Sequence, residues 1–237
     1  MLPVFTIGMR ARRGGAPKFI GATTNLKGVT GGGTVTLGTP AGTKKNDTMV
    51  AVIVSSGGVT LSNPGAFTLR HTAGPQNLDG TATRIYVLTK YAGLGESGDH
   101  NFLLSAGTGN ALSANLTYRW SGADGVPDDS DDDVAFGGPL SQAPDITTLL
   151  DNTRVLSIYG VNDVGAGPPT PTLPPGTIER VQLIGPGGGG GAVPLDRMLY
   201  ICDELAPSAG LYTGKDLDNN SGQESLSITY GLKSSAY

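Results

Sequence analysis

The feature that most limits the fold is a pair of short apolar segments about a hundred residues apart. Residues 48–54 are rich in β-branched side chains and follow the turn-forming Lys45-Asn46-Asp47. Residues 154–159 have the same character and follow Asp151-Asn152-Thr153. Such segments are too short for a stable helix, and Val and Ile favour the extended backbone. Each segment therefore predicts a strand that is buried on both faces.

The segments after each predicted strand are repeated as well. Three matches follow in the same order: 64–70 with 175–180, 84–88 with 197–201, and 115–118 with 227–230. Their separations are 111, 113 and 112 residues, and the turns before the two apolar segments are slightly closer together. The near-constant spacing indicates one four-stranded unit that is used twice.

A single four-stranded sheet has an apolar face that something must cover. Two such sheets stacked face to face give about eight main strands around one core, and no segment has a convincing helical period. The sequence therefore predicts an all-β, antiparallel β-sandwich of the jelly-roll type, with an eight-stranded up-and-down barrel as the alternative. We expect an extended basic arm over 1–28 and one sandwich domain over 29–237. Its halves would be 34–122 and 145–235, joined by an acidic loop over 123–144.

Charge is distributed unevenly along the chain. Residues 1–46 carry seven basic and no acidic side chains, whereas the remainder carries nine basic and twenty acidic ones. The basic arm predicts docking on an acidic protein surface or on phosphates, or folding back on the chain's own acidic body, and both interpretations stay open. The expected contact residues combine an apolar set with a basic set: Leu2, Val4, Phe5, Ile7, Arg10, Arg12, Arg13 and Lys18.

Two partner classes are not expected. The basic stretch 10–18 contains no aromatic residue, and the acidic body would repel a polyanion, so we expect no nucleic-acid binding. No apolar run reaches 18 residues, so we expect no membrane span.

The acidic loop is the strongest candidate metal site. Five aspartates fall within six positions, and their mutual repulsion is relieved either by solvation or by a bound cation. Carboxylate oxygens suit Ca²⁺, although the spacing fits no known loop pattern. A solvated loop is the simpler interpretation, and the calcium ligands in the other one would be Asp128, Asp129, Asp131, Asp132 and Asp133.

The catalytic residue types are scarce. Cys202 is the one cysteine and falls inside a predicted strand, and His71 and His100 are the two histidines. No nucleophile, base and acid occur in a recognisable pattern, so we expect no catalytic residues and no enzyme. A glycosidase, which needs two carboxylates, is not excluded by sequence, although one tryptophan leaves little for stacking a sugar ring.

Several segments together resemble a known class of proteins. The set comprises Pro40-Ala-Gly-Thr43, Asn46-Asp47 with its Val-rich strand, Pro64-Gly-Ala-Phe-Thr-Leu69, Arg84-Ile-Tyr-Val87 and Tyr118-Arg-Trp-Ser-Gly-Ala-Asp124. In this order they resemble jelly-roll proteins encoded among bacteriophage structural genes. The resemblance implies a virion component, assembled in the host cytoplasm, and implies no catalytic residue.

Within that class we expect a capsid decoration (cement) protein. It would form a homotrimer, bind the major capsid protein or another virion protein, and need no cofactor. The alternative is a tail-associated module that binds a receptor or a glycan. No heptad or Gly-X-Y run precedes the predicted sandwich, and the lack of such a shaft favours decoration of the head.

Overall fold

The computed structural model describes residues 15–30, 32–78, 81–105, 107–119, 127–135, 140–162, 170–186, 196–218 and 224–234. Within these ranges the fold is all-β, and every regular element is a strand.

The first half of the chain contributes eight strands. They are β1 (Lys18–Thr30), β2 (Gly33–Gly38), β3 (Thr48–Ser56), β4 (Leu61–Asn63), β5 (Thr68–Leu78), β6 (Thr81–Tyr91), β7 (Asp99–Leu104) and β8 (Thr108–Arg119). Five of these strands form an antiparallel sheet in the order β1-β8-β3-β6-β5, and the others form a small sheet in the order β2-β7-β4.

The second half contributes nine strands. They are β9 (Pro127–Ala135), β10 (Leu140–Gln142), β11 (Ile146–Thr148), β12 (Thr153–Asn162), β13 (Ile178–Pro186), β14 (Asp196–Ala206), β15 (Gly210–Tyr212), β16 (Asp216–Asp218) and β17 (Glu224–Leu232). The five-stranded sheet has the order β13-β14-β12-β17-β9. Two small pairs, β10-β16 and β11-β15, complete the half, and Thr172 adds a bridge to Asp218.

The large sheets of the two halves share one strand topology. Read from β9, the second five-stranded sheet has the order β9-β17-β12-β14-β13. This order matches β1-β8-β3-β6-β5 of the first sheet strand by strand, so that β12 corresponds to β3. The Thr172 bridge occupies the place of β4 beside the outer strands. The turns before β3 and β12 match as well, because Asn46 and Asn152 both adopt the left-handed conformation, with φ of 68° and 59°. Asn is one of the few side chains that tolerate it.

The two five-stranded sheets pack face to face, as the sequence predicts. Alternate side chains of β3 and β12, such as Val52 and Ile158, meet in a central core with residues from β5, β6, β8, β13, β14 and β17. The opposite faces of the same strands are also buried, since Met49 and Ile53 pack under β2 and β7 while Tyr159 packs under β16. This double coverage explains why the central strands are apolar at nearly every position.

Three details of the sequence-based picture are wrong. The arm predicted over 1–28 is too long, because residues 18–28 belong to β1, whose whole length pairs with β8. The acidic loop predicted over 123–144 contains β9, which pairs with β17, and β10. The count of about eight main strands is too low, because the two facing sheets contain ten and the small outer sheets add further strands. The result is four layers instead of two.

Candidate interaction surface

One end of the two facing sheets brings the start of the described chain close to both halves. Lys18 begins β1 opposite Arg119 at the end of β8. The carbonyl oxygen of Pro17 accepts a hydrogen bond from Arg154 Nε near the start of β12, at 3.1 Å. We call this end, at which β1, β3 and β12 begin, the entry end.

Exposed leucines mark the loops of the entry end. Leu94, in the turn after β6, is 89% exposed, and Leu149, between β11 and β12, is 68% exposed. Leu211 in β15 is 73% exposed, and Leu205 near the end of β14 is 37% exposed. A contiguous patch of such side chains is typical of surfaces that bind another chain, whereas a single exposed leucine is ordinary.

A groove of about 280 Å³ lies beside the end of β14. Its apolar wall includes Leu205, Ala206 and Leu211, and its polar wall includes Thr148, Ser208 and Glu204. The turn that carries Leu149 adjoins this groove, since it follows Thr148 directly. The groove has the mixed lining expected for an extended apolar peptide with a few polar contacts.

The polar wall of the groove is fixed by a small network. Tyr212 Oη donates a hydrogen bond to Glu204, and Lys215 Nζ lies 2.9 Å from the same carboxylate. Lys215 also lies over the Tyr212 ring, 5.5 Å from its centroid. Burial, reinforced by the Glu204 carboxylate, raises the pKa of Tyr212. The phenol therefore stays a hydrogen-bond donor throughout the physiological pH range.

The predicted contact residues fall mainly outside the structure. Leu2, Val4, Phe5, Ile7, Arg10, Arg12 and Arg13 lie outside the described residues. Lys18 is exposed at the first position of β1. The structure therefore places the origin of the basic segment at the entry end, and leaves its contacts as a prediction.

Behind the entry end, a buried charge cluster joins the two halves. Tyr118 Oη donates to Asp203 Oδ2 at 2.7 Å, and Arg180 donates to both oxygens of this carboxylate at 2.8 and 2.9 Å. Arg154 Nη1 lies 3.4 Å from Asp203 Oδ1. The Arg180 guanidinium also stacks on the Phe19 ring, 4.4 Å from its centroid. Sequence reasoning missed this cluster, which forms only when the two sheets meet.

The five aspartates of the predicted metal site lie on β9, at the edge of the second sheet. Asp129 accepts a hydrogen bond from the Thr147 amide at 2.7 Å, and Asp132 contacts His71. Asp131 and Asp133, with Asp145, line a groove of about 470 Å³. The side chain of Asp128 lies outside the described residues. Among the side chains that the structure describes, no three His, Cys, Asp or Glu form a metal-binding group, and the calcium site stays a prediction.

His71 joins two sheet edges through residues that sequence reasoning did not connect. Its Nδ1 lies 3.0 Å from Ser130 Oγ, and its Nε2 lies 3.0 Å from Asp132 Oδ1. In Ser-His-Asp hydrolases the carboxylate holds Nδ1 and the serine lies at Nε2, so the roles of the ring nitrogens are reversed here. What the contact does in the fold is to connect β5 of the first half with β9 of the second.

Cys202 and His100, the other residues of catalytic type, pack against neighbouring side chains. Cys202 is fully buried in β14, and burial raises the pKa of its thiol to about 12. His100 packs edge-on against Phe67 and lies 3.0 Å from Thr39 Oγ1. Burial, followed by the nearby Lys90 charge, lowers the pKa of His100. Trp120 lies outside the described residues.

Comparison with known proteins gives no relatives: no family model matches the sequence, and no curated protein or solved structure matches it significantly. In the part of the chain that the structure describes, no helix is long and apolar enough to cross a membrane.

Proposed function

We propose that this protein is a non-enzymatic structural component of a bacteriophage virion, and that it decorates the assembled head shell. The observation that carries the proposal is the entry end, where loops with exposed leucines from both halves lie at the same end of the sheets as the start of the described chain. A cement protein needs a rigid body with one adhesive end, and a rigid body is what the four packed layers supply.

We infer that each half is a β-sandwich of the jelly-roll type. The support is the alternation of layers along the chain: β1 and β3 belong to the large sheet, whereas β2 and β4 belong to the small one. The chain crosses between layers again to reach β5, β7 and β8 in turn. Repeated crossing between two antiparallel sheets is typical of jelly rolls, which are common in viral capsid proteins.

Docking would combine two kinds of contact. Leu94 and Leu149 would bury apolar surface against the shell, and this part of the binding is insensitive to salt. Arg10, Arg12 and Arg13 would face acidic groups of the shell, and this part weakens as salt rises, since the screening length is about 8 Å at physiological ionic strength. A homotrimer at a three-fold position of the shell is the assembly we propose.

The acidic groove beside β9 favours a second candidate function. Asp131, Asp133, Asp145 and Gln142 offer hydrogen-bond acceptors and donors to the hydroxyl groups of a sugar. On this alternative, the protein is a tail-associated module that binds a glycan receptor through the groove.

Co-sedimentation with purified head shells that lack the protein tests the proposal. The full chain should bind the shells, and raising the salt concentration should weaken binding partially. Leu94→Asp and Leu149→Asp should each reduce binding at least about tenfold if the leucine is buried in the contact. Asp131→Asn and Asp145→Asn, which change the acidic groove, serve as matched controls and should bind normally. Failure of the full chain to bind shells, or loss of binding in the controls alone, would argue against decoration.

A further inference from the structure

Leu94 is an exposed apolar side chain on a turn that its neighbours hold in place. We call residues 92–98, between β6 and β7, the knob turn. Leu94 is 89% exposed, whereas the Glu96 side chain two residues later is only 12% exposed. Glu96 accepts a hydrogen bond from a backbone amide of the same turn at 2.6 Å and lies 2.5 Å from Lys90 Nζ. Because the turn is already ordered, little conformational entropy is lost when Leu94 is bound.

The groove beside β14 has room for such a side chain. Its volume is about 280 Å³, and a cavity of roughly 150 Å³ lined by apolar side chains holds a benzene molecule. Leu205 and Leu211 of its apolar wall are partly exposed.

A leucine that fills the groove must come from another copy of the chain. The groove lies on the outer side of the second half, beside β11 and β15, whereas the knob turn leads into β7 in the outer sheet of the first half. The two facing sheets, which pack about 10 Å apart, lie between the knob turn and the groove of one chain.

The charges of the two halves favour contact between different copies. Residues 1–122 carry eleven basic and four acidic side chains, whereas residues 123–237 carry five basic and sixteen acidic ones. The same contrast is found locally. Lys44 and Lys45 are exposed in the turn that is hydrogen-bonded to the base of the knob turn, and Asp151 is exposed in the turn next to the groove. The first half of one copy should therefore attract the second half of another.

The arrangement of the halves makes this contact reciprocal. The knob turn follows β6, and the groove lies at the end of β14, the strand that corresponds to β6. Since β1 packs against β13 and β5 against β9, the two strand orders run in opposite directions, and knob turn and groove lie on opposite sides of the entry end. Two copies that meet at their entry ends, about a two-fold axis across the strands, bring each knob turn to the groove of the other copy.

We propose that the free protein forms this two-fold dimer, with Leu94 of each copy seated in the groove beside β14 of the other. The dimer itself does not depend on the shell as a partner. Docking on the shell would use leucines of the same end, so decoration would require the dimer to open, and this last step alone rests on the proposed function.

Disulfide trapping between single-cysteine variants tests the pairing. A mixture of Leu94→Cys and Leu211→Cys chains should form a disulfide-linked dimer at least about tenfold faster than either variant alone, because the two-fold axis places Leu94 beside Leu211 of the other copy. Leu103→Cys mixed with Leu211→Cys is the matched control, since Leu103 is 48% exposed near the far end of β7. The native Cys202 is fully buried and does not compete. Equal rates for the mixture and for the single variants would overturn the inference.

The double variant, with Leu94→Cys and Leu211→Cys in one chain, tests the symmetry. A two-fold contact closes on itself, so a non-reducing gel should show a covalent dimer and no larger species. A trimer or a ladder of higher oligomers would show a head-to-tail contact and would overturn the two-fold dimer.

Sedimentation velocity of chains without new cysteines gives an independent readout. The native chain should dimerise, and its dissociation constant should rise with salt because the attraction between the halves is screened. Leu94→Asp should raise the dissociation constant at least about tenfold, since a carboxylate would enter an apolar groove, and Leu103→Asp should leave it unchanged. A native chain that stays monomeric up to about 100 μM, or equal effects of the two substitutions, would refute the dimer whether or not the protein binds shells.

Discussion

Tyr118 of the first half donates a 2.7 Å hydrogen bond to the Asp203 carboxylate of the second half, and both side chains are buried. Arg180 holds the same carboxylate through two further hydrogen bonds. The contact closes the central core at the entry end, so the position of one sheet on the other is fixed beside the candidate interaction surface.

Removing either member of this pair should destabilise the whole chain. Tyr118→Phe should lower the free energy of unfolding by about 1.5–3 kcal/mol, the usual range for a hydrogen bond to a charged group. Asp203→Asn should cost more, about 3–5 kcal/mol, because Arg154 and Arg180 lose their buried counter-charge. Urea unfolding measures both values. Ser62→Ala, which removes an exposed hydrogen bond, is the control and should change stability by less than about 0.5 kcal/mol.

The two halves should not fold separately. Each five-stranded sheet covers one face with its own small outer sheets, but it buries the other face only against the opposite half. Fragments 1–122 and 123–237, expressed alone, should therefore lack a cooperative thermal transition and dispersed amide resonances, and should regain both when mixed. A sharp transition in either fragment by itself would show that the central core is dispensable.

Overpacking the central core at one glycine should weaken the contact between the halves. A Cβ on Gly160 would lie 3.1 Å from Val54 Cγ1 and 3.3 Å from Ile85 Cδ1, across the sheet interface. Gly160→Val should therefore lower stability by about 1–3 kcal/mol in a thermal or urea titration. Gly28→Val is the matched control, because a Cβ there would meet Asn110 at an ordinary 3.7 Å. Equal effects of the two substitutions would contradict the packing described.

Alkaline pH should unfold the protein. Burial raises the pKa of Tyr118, Tyr159 and Tyr230, and raises the pKa of Cys202 from 9.0 to about 12. The unfolded chain therefore loses these protons first as the pH rises. The free energy of unfolding should keep its full value below about pH 9 and should fall above it. Each group that ionises in the unfolded chain should lower the free energy of unfolding by about 1.4 kcal/mol per pH unit.

Urea unfolding across the alkaline range, with tyrosinate absorbance as a second signal, checks this expectation. The absorbance of these buried tyrosines should rise only together with unfolding. Stability that stays constant up to about pH 11 would contradict their burial.

Much of the repeat could be predicted from sequence, because strand identity depends on local pattern. The turns at Asn46 and Asn152 and the apolar runs after them place β3 and β12 correctly. Residue-by-residue matches within strands could not be predicted to the same accuracy. The sequence match of Arg84 with Arg197 is off by one position. Val87, three residues after Arg84, pairs with Val52 of β3. The residue that pairs with the corresponding Ile158 of β12 is Ile201, four residues after Arg197.

A slip of one residue moves a side chain to the other face of its sheet. Arg197 is consequently buried beside Gly185, and its Nε and Nη1 have no hydrogen-bond acceptor among the residues that the structure describes. Burial lowers the pKa of Arg197 to about 10, whereas Arg84 is half-buried.

The acidic strand β9 shows where sequence propensity fails. Asp is disfavoured in strands, so a run of aspartates indicates a loop. In the structure, pairing with β17 and the contacts of Asp132 with His71 and Asp129 with Thr147 outweigh that preference. All three interactions join residues far apart in the chain, and no local pattern reveals them.

The location of the protein on purified phage particles tests the central claim most directly. Electron microscopy with a labelled antibody against the folded chain would count and place the copies. Decoration of the head shell predicts many copies spread over the head, and a few copies confined to the tail tip would contradict it.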